Sequence, residues 1–350
     1  MELDYFNARL KGLKGRLLKA RDYESLLSEP GPGEFLELLK TTPYGPYIGI
    51  AEARFTGVGE VTDEALKLSL TDTLAFLYKT APPVAGPLIK AFLSLWESYN
   101  LKAVIRGIVK GIKRDEVRSV LIPAGEFNAA ALNELLGSKD VADLIRLLDT
   151  WGSGYAVPLK RGYEAFLKVN NVIELELELD HFVFAFPVTG LKKRSHDHRI
   201  IRDVFQFNID VRNIMTLIKI AGEGYRPEAV SAFFIPGGRL IKKELFMELA
   251  TLKTRDELVN AVAGNIKDAR FALLLSGADY ENMGVVEESL NDLLVRRLLR
   301  LSVTDPLSIA LAAYVILMKV REIKNVRMIA RAAAFAIPEV QVRRFLFYSH

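Results

Sequence analysis

An all-α fold made of three related helical units is what the 350-residue sequence predicts, and three observations carry that expectation. The first is the stretch 209–221, in which Ile214, Leu217 and Ile218 fall at i, i+3 and i+4, the apolar stripe of an amphipathic helix. The second is that this stretch occurs three times. With Asn213 as zero, position −3 is acidic (Asp210), positions +1, +4 and +5 are apolar, and +6 is basic (Lys219). Around Asn100 the frame reads Glu97, Leu101, Val104, Ile105 and Arg106; around Asn325 it reads Glu322, Val326, Ile329, Ala330 and Arg331. Asn213 stands almost midway between Asn100 and Asn325, so the recurrence is regular. The third observation is that nearly everything else reads as helix and short turn.

The elements follow in chain order. Residues 4–18 read as a helix with Leu10, Leu13, Leu17 and Leu18 on one face and Arg9, Lys11, Lys14 and Arg16 around the rest. Pro30-Gly-Pro-Gly33 is a loop, Glu34–Leu39 a helix, and Thr41–Tyr47 a turn-rich connection. Thr62 or Asp63 is the expected N-cap of a helix through Tyr78, which Pro82 and Pro83 end. A second helix carries Ile89–Lys110. Ile122-Pro-Ala-Gly125 follows Asn100 at the distance that Ile235-Pro-Gly-Gly238 follows Asn213. Lys139-Asp and Arg255-Asp-Glu then open matching helical patterns. Val172–Asp180 alternates apolar and polar residues, a strand period, yet Glu and Leu are good helix formers and poor strand formers. Its place in the repeat, opposite the helix near Asp63, makes it a helix. Asp305-Pro306 is expected to start a long helix through Asn325, because Pro suits the first helical turn, and Ile337-Pro338 follows. The resulting division is 1–60 as N-terminal helices, 61–165 as unit one, 166–275 as unit two, and 276–350 as a shorter unit three.

Composition narrows the functions. The chain has no cysteine, which excludes disulfides, thiolate metal sites and cysteine nucleophiles. A net charge of +4 is small beside 47 basic and 43 acidic residues, so it is a weak pointer to nucleic acid or anionic membrane. The uncharged run Leu307–Met318 falls short of the roughly 20 residues of a membrane span. It reads as a buried core helix, and no secretory leader is seen in the charged residues 1–18. His196-Asp-His198 spaces two imidazoles at i, i+2, off one helix face, with no third ligand nearby. The pairs Gly57-Val-Gly59, Gly152-Ser-Gly154 and Gly222-Glu-Gly224 complete neither a Walker A loop nor a dinucleotide fingerprint. The basic cluster 192–202 lacks the aromatic interleaving of an RNA reader. A chain of this kind works by presenting surfaces, so no catalytic residue, cofactor or metal ligand is assigned. The acid and Asn of each frame are expected to bond a neighbouring helix or turn.

The three motifs and their spacing, the opening Tyr5-Phe-Asn-Ala-Arg9, Leu38-Leu-Lys-Thr-Thr-Pro-Tyr44, Glu176-Leu-Glu-Leu-Asp180 and the Ile-Pro-x-Gly turns together resemble one family over essentially the whole chain. It is the C subunit of archaeal and bacterial A/V-type ATPases, equivalent to the d subunit of the eukaryotic vacuolar enzyme. The resemblance implies a funnel of three pseudo-threefold-related helical units that is non-catalytic and carries no cofactor. It implies a central-rotor adaptor between the shaft subunits and the cytoplasmic face of the membrane proteolipid ring, peripheral to the membrane and touching it only through the ring, with no nucleic-acid partner. Arg9 and Arg16 on the first helix and Arg194 and Arg199 in the basic cluster are the expected contacts with partners. A stand-alone helical scaffold is the alternative.

Overall fold

The computed structural model describes residues 2–28, 31–185, 187–188, 195–221, 223, 227–266, 268–278 and 280–348, and every described element is helical apart from one isolated bridge, Ala124 to Phe127. The chain forms two compact units. One takes residues up to Ala85 together with those from Val295 onward, and the other is Gly86–Leu294.

In the first unit α1 (Glu2–Gly15), α2 (Ala20–Ser28), α3 (Pro32–Lys40), α4 (Gly45–Glu52) and α5 (Val58–Thr80) lead in. The second unit contains α6 (Gly86–Lys110), α7 (Arg114–Val120), α8 (Ala129–Leu135), α9 (Val141–Thr150), α10 (Ala156–Val169) and α11 (Ile173–Ala185). It continues through α12 (His196–Ile220), α13 (Pro227–Phe233), α14 (Lys243–Leu249), α15 (Arg255–Asn265) and α16 (Ala269–Ser276). Helix α17 (Met283–Thr304) leads back to the first unit, which ends with α18 (Ala310–Ala334) and α19 (Glu339–Arg343).

The motif helices are α6, α12 and α18, and each packs on the first helix of another sequence frame. In the first unit α18 lies against α5, and in the second α6 lies against α11. Val286 and Leu290 of α17 share one apolar cluster with Ile214, Leu217 and Ile218 of α12. Each packed layer therefore draws on two frames of the sequence. The alternating run 172–180 lies in helix α11, whose buried residues Leu175, Leu179 and Val183 recur every four positions. Its acidic face is met by Arg106 on Glu176, Lys102 on Asp180 and Arg161 on Glu178.

Several boundaries differ from those read in the sequence. Helix α1 stops at Gly15, short of Leu18, whose backbone N–H is bonded to Glu322 instead. Helix α5 begins at Val58 with Gly57 as its N-cap, so Thr62 sits buried inside the helix and Asp63 pairs with Arg327. Pro306 does not open α18. The Asn7 amide donates to the carbonyls of Pro306 (2.9 Å) and Ser308 (3.0 Å), taking acceptors that helical N–H groups would use, and the helix starts at Ala310. Leu307 is exposed, whereas the run from Ala310 to Ile316 is buried as expected of a core helix.

Helices α6 and α18 end in the same way. Ile112 N–H bonds Gly107 C=O and Ile337 N–H bonds Ala332 C=O, both at 2.9 Å, each closing the last turn around a residue in the left-handed region. In α6 that residue is Gly111 (φ +63°); in α18 it is Ala336 (φ +51°), which carries a steric cost at this φ. Ala336→Gly is therefore expected to raise stability by about 0.5–1 kcal/mol. Gly111→Ala is expected to lower it by a similar amount, since a Cβ there meets nothing and only the φ matters. Denaturant unfolding of both variants checks the pair, and equal effects of like sign would contradict this account.

Candidate functional site

The three Asn side chains make one contact three times. Asn100 Nδ2 donates to Ile122 C=O (2.6 Å) while its Oδ1 accepts from Ile122 N–H (2.9 Å). Asn213 does the same to Ile235, at 2.8 and 2.9 Å. Asn325 does it to Phe347, at 2.8 and 3.4 Å. Each partner stands 22 residues ahead, and all three Asn are buried. A primary amide has one donor edge and one acceptor edge at the spacing of a backbone N–H and C=O, so it pairs with a single residue as a neighbouring strand would. The intervening helices α7, α13 and α19 begin at Arg114, Pro227 and Glu339, the same distance after the Asn in every case. In the third repeat the partner is Phe347; Ile337-Pro338 is the counterpart of Ile112-Lys113, before the short helix.

The acid one turn earlier takes further N–H groups, from the following segment in the first two repeats and from the N-terminal part of the chain in the third. Glu97 Oε1 accepts Glu126 N–H (2.8 Å), and its Oε2 accepts the Tyr155 hydroxyl (2.7 Å). Asp210, one methylene shorter, takes the three successive N–H groups of Arg239, Leu240 and Ile241 at 2.9–3.0 Å. Glu322 accepts Leu18 N–H, the Tyr44 hydroxyl (2.7 Å) and the ammonium of Lys319 (2.8 Å). All three carboxyls are buried. Burial pushes the carboxyls of Glu97 and Asp210 upward, against the hydrogen bonds that favour their charge. Burial and the adjacent carboxylate push the hydroxyls of Tyr155 and Tyr44 well above the usual tyrosine range, so both act as donors.

Backbone must come close for this to work. A Cβ on Gly125 would stand 1.7 Å from Glu97 Oε1, and one on Gly238 would stand 2.3 Å from Asp210 Oδ1. The glycine that ends each Ile-Pro-x-Gly turn is thus required by the acid beneath it.

The basic member of the frame stands apart: Arg106, Lys219 and Arg331 are exposed. Arg106 holds Glu176 through two nitrogens (2.5 and 2.6 Å), a surface pair of small energetic weight. Arg9 is exposed, with its guanidinium 4.6 Å from the Phe76 ring centre, and Arg16 is exposed beyond the end of α1. Arg199 is exposed in the first turn of α12, capped by Ser195, while Arg194 lies outside the described residues. His198 is buried and shares a hydrogen bond with Ser195 Oγ (2.6 Å). Sequence reasoning missed Tyr44, Tyr155 and Lys319. The available signal was Tyr44 after Leu38-Leu-Lys-Thr and Tyr155 after Leu147-Leu-Asp-Thr, a likeness between two widely separated segments.

Comparison with known proteins adds the family context. The family model described as ATP synthase (C/AC39) subunit matches residues 6–345. The chain is similar to the C subunit of the A-type ATP synthase of Haloferax volcanii, 29% identical over 94% of this chain and 92% of the relative. It is 27% identical to the corresponding C subunit of Haloquadratum walsbyi over 97% of both chains. It is 25% identical to that of Archaeoglobus fulgidus over 97% of this chain and 94% of the relative.

The geometry makes the amide clamp a stability element. Asn213→Leu leaves the buried N–H and C=O of Ile235 without partners, at about 1–3 kcal/mol for each group. A loss of roughly 2–6 kcal/mol and a melting temperature lower by several degrees are expected for the purified chain. Asn213→Asp, which sets a carboxylate oxygen against the Ile235 carbonyl one turn from buried Asp210, should be at least as damaging. A melting temperature unchanged in Asn213→Leu would show that the clamp adds nothing to the fold.

Proposed function

Because the chain belongs to the ATP synthase (C/AC39) subunit family, we propose that it is the non-catalytic rotor adaptor of its ATPase, seated between the central-shaft subunits and the cytoplasmic face of the proteolipid ring. The observation that carries this reading is the near full-length match to relatives that are ATP synthase C subunits, joined to how the buried acids are used. Glu97, Asp210 and Glu322 have oxygens committed to backbone N–H groups, and Glu97 and Glu322 also to tyrosine hydroxyls. Their chemistry is spent on holding helices to loops.

A torque-transmitting piece has to be stiff, and long packed helices such as α5 with α18 and α6 with α11, with α6 and α18 each clamped through a mid-helix Asn, supply stiffness without an active site. Among the described residues no helix is long and apolar enough to cross a membrane, which suits attachment through a ring rather than insertion. A permanent rotor part needs interfaces on the order of 2,000 Å² or more. Phe335 and Val340, 75% and 82% exposed on the chain alone, are the kind of side chains such interfaces cover. Arg9, Arg16 and Arg199 remain the polar contacts proposed for those faces.

The test is isolation of the native protein from detergent-solubilised membranes, with mass spectrometry of the accompanying chains. Recovery of ring proteolipids and central-shaft subunits in a fixed ratio is the expected outcome. A complex lacking both would remove the adaptor role and favour a separate scaffold.

A further inference from the structure

We infer that residues 18–52 are the second half of the third repeat, a strap that arrives from the other end of the sequence and closes on α18. In the first two repeats the order is motif helix, short helix, Asn-bound residue, acid-bound amide, two helices, then a capped helix leading to the next frame. The third repeat follows this order as far as Phe347, with α19 opening as far after Asn325 as α7 and α13 do after Asn100 and Asn213. Residues 18–52 carry the remaining members of that order, at nearly the same spacing.

The spacing can be measured back from the residue that caps the last helix of each set. Those residues are Tyr155 before α10, Asp268 before α16 and Tyr44 before α4. Tyr155 follows Asn100 at the distance at which Asp268 follows Asn213. The preceding helices α9, α15 and α3 begin at Val141, Arg255 and Pro32, and the interval from helix start to cap shortens by a single position from each set to the next. The helices before those, α8, α14 and α2, begin at Ala129, Lys243 and Ala20. The two helix starts within a set are therefore equally far apart in all three.

The acid contacts agree with the spacing. The amides that reach the motif acid are Glu126, Arg239 to Ile241, and Leu18, each lying just before the first helix of its set. The hydroxyl on Glu97 comes from the residue capping α10, and the hydroxyl on Glu322 comes from the residue capping α4. In the second repeat the capping residue is Asp268, which turns to the N–H groups of its own helix, and Asp210 takes three amides instead. The packing repeats as well, since α4 lies along α5 as α10 lies along α11.

The strap is fastened at two places beyond the Glu322 lock. Tyr23 stacks on Tyr348, with ring centres 4.8 Å apart, and Glu24 takes both Arg343 (2.6 and 2.9 Å) and the Tyr348 hydroxyl (2.6 Å). Residues 18–52 and 310–348 thus form one cooperative element despite their separation in sequence.

Hydrogen exchange of the full-length chain, read by mass spectrometry in mild denaturant, tests this inference. In the wild type, amides of 18–52 and of 339–348 should open along one shared denaturant dependence. Tyr44→Phe keeps the ring and removes the hydroxyl from Glu322 and Lys319. It should accelerate exchange in both segments together, by about tenfold, and leave 114–169 at wild-type rates. Tyr155→Phe should do the reverse. Separate denaturant dependences for the two segments would overturn the inference. So would a Tyr44→Phe effect that is absent or confined to 18–52.

Discussion

Everything in the repeat follows from one side-chain amide that pairs with one backbone residue further along the chain. A buried Asn in mid-helix costs about half a kcal/mol in helix propensity relative to Ala, so it persists only where its donor and acceptor are both used. Pairing with Ile122, Ile235 or Phe347 uses both edges and fixes where the chain returns after the short helix. In the first two repeats, once that residue is pinned, N–H groups a few positions on fall over the helix one turn back, where the acid waits. The approach is so close that only glycine fits at Gly125 and Gly238. Amide, acid and glycine are therefore one device, and changing any of them exposes the others to unpaired burial.

What could be read in the sequence was what the chain says locally. The Asn frame, its acid at −3 and the Ile-Pro-x-Gly turns recur at fixed spacing, and the helical nature of 173–185 follows from Glu and Leu propensity even though its apolar period imitates a strand. What could not be read depends on distant partners. Nothing near Pro306 says that Asn7, 299 residues away, will occupy its carbonyl and delay the helix. Nothing near Leu18 says that its N–H belongs to Glu322 and that helix α1 must therefore stop early. The basic position at +6 was visible as a pattern, yet Arg106, Lys219 and Arg331 are exposed, where a charge recurs simply because one helix face meets solvent.

A family of rotary ATPase subunits gives this arrangement a mechanical sense. Helix pairs bend most easily where their ends fray, because terminal N–H and C=O groups lack partners there. Here the segment after each motif helix is tied back to that helix by an amide, joined in the first two repeats by a carboxylate, and left-handed caps at Gly111 and Ala336 finish α6 and α18. On the adaptor reading, load entering through a loop passes into the long helix through hydrogen bonds set in an apolar core, where they are exchanged for water only by local opening. Stiffness, in such a design, is a property of buried polar contacts as much as of packing.

The third lock differs from the other two in a way that its topology explains. Glu97 meets its backbone donor 29 residues along the chain, whereas Glu322 meets Leu18 across 304. For an unstructured chain the longer closure costs about 2 kcal/mol more, by the logarithmic dependence on loop length. The strap compensates with contacts the first repeat lacks. Lys319 places its ammonium 2.8 Å from both Glu322 and the Tyr44 hydroxyl, with the Tyr44 ring centre 4.3 Å away. Tyr23 stacks on Tyr348, and Arg343 grips Glu24. A buried Lys–Glu pair is costly to desolvate and is retained only where further hydrogen bonds satisfy it. Here Leu18 N–H and Tyr44 complete that set. Closing the strap is therefore what desolvates this pair, and the bonds from Leu18 and Tyr44 offset that cost.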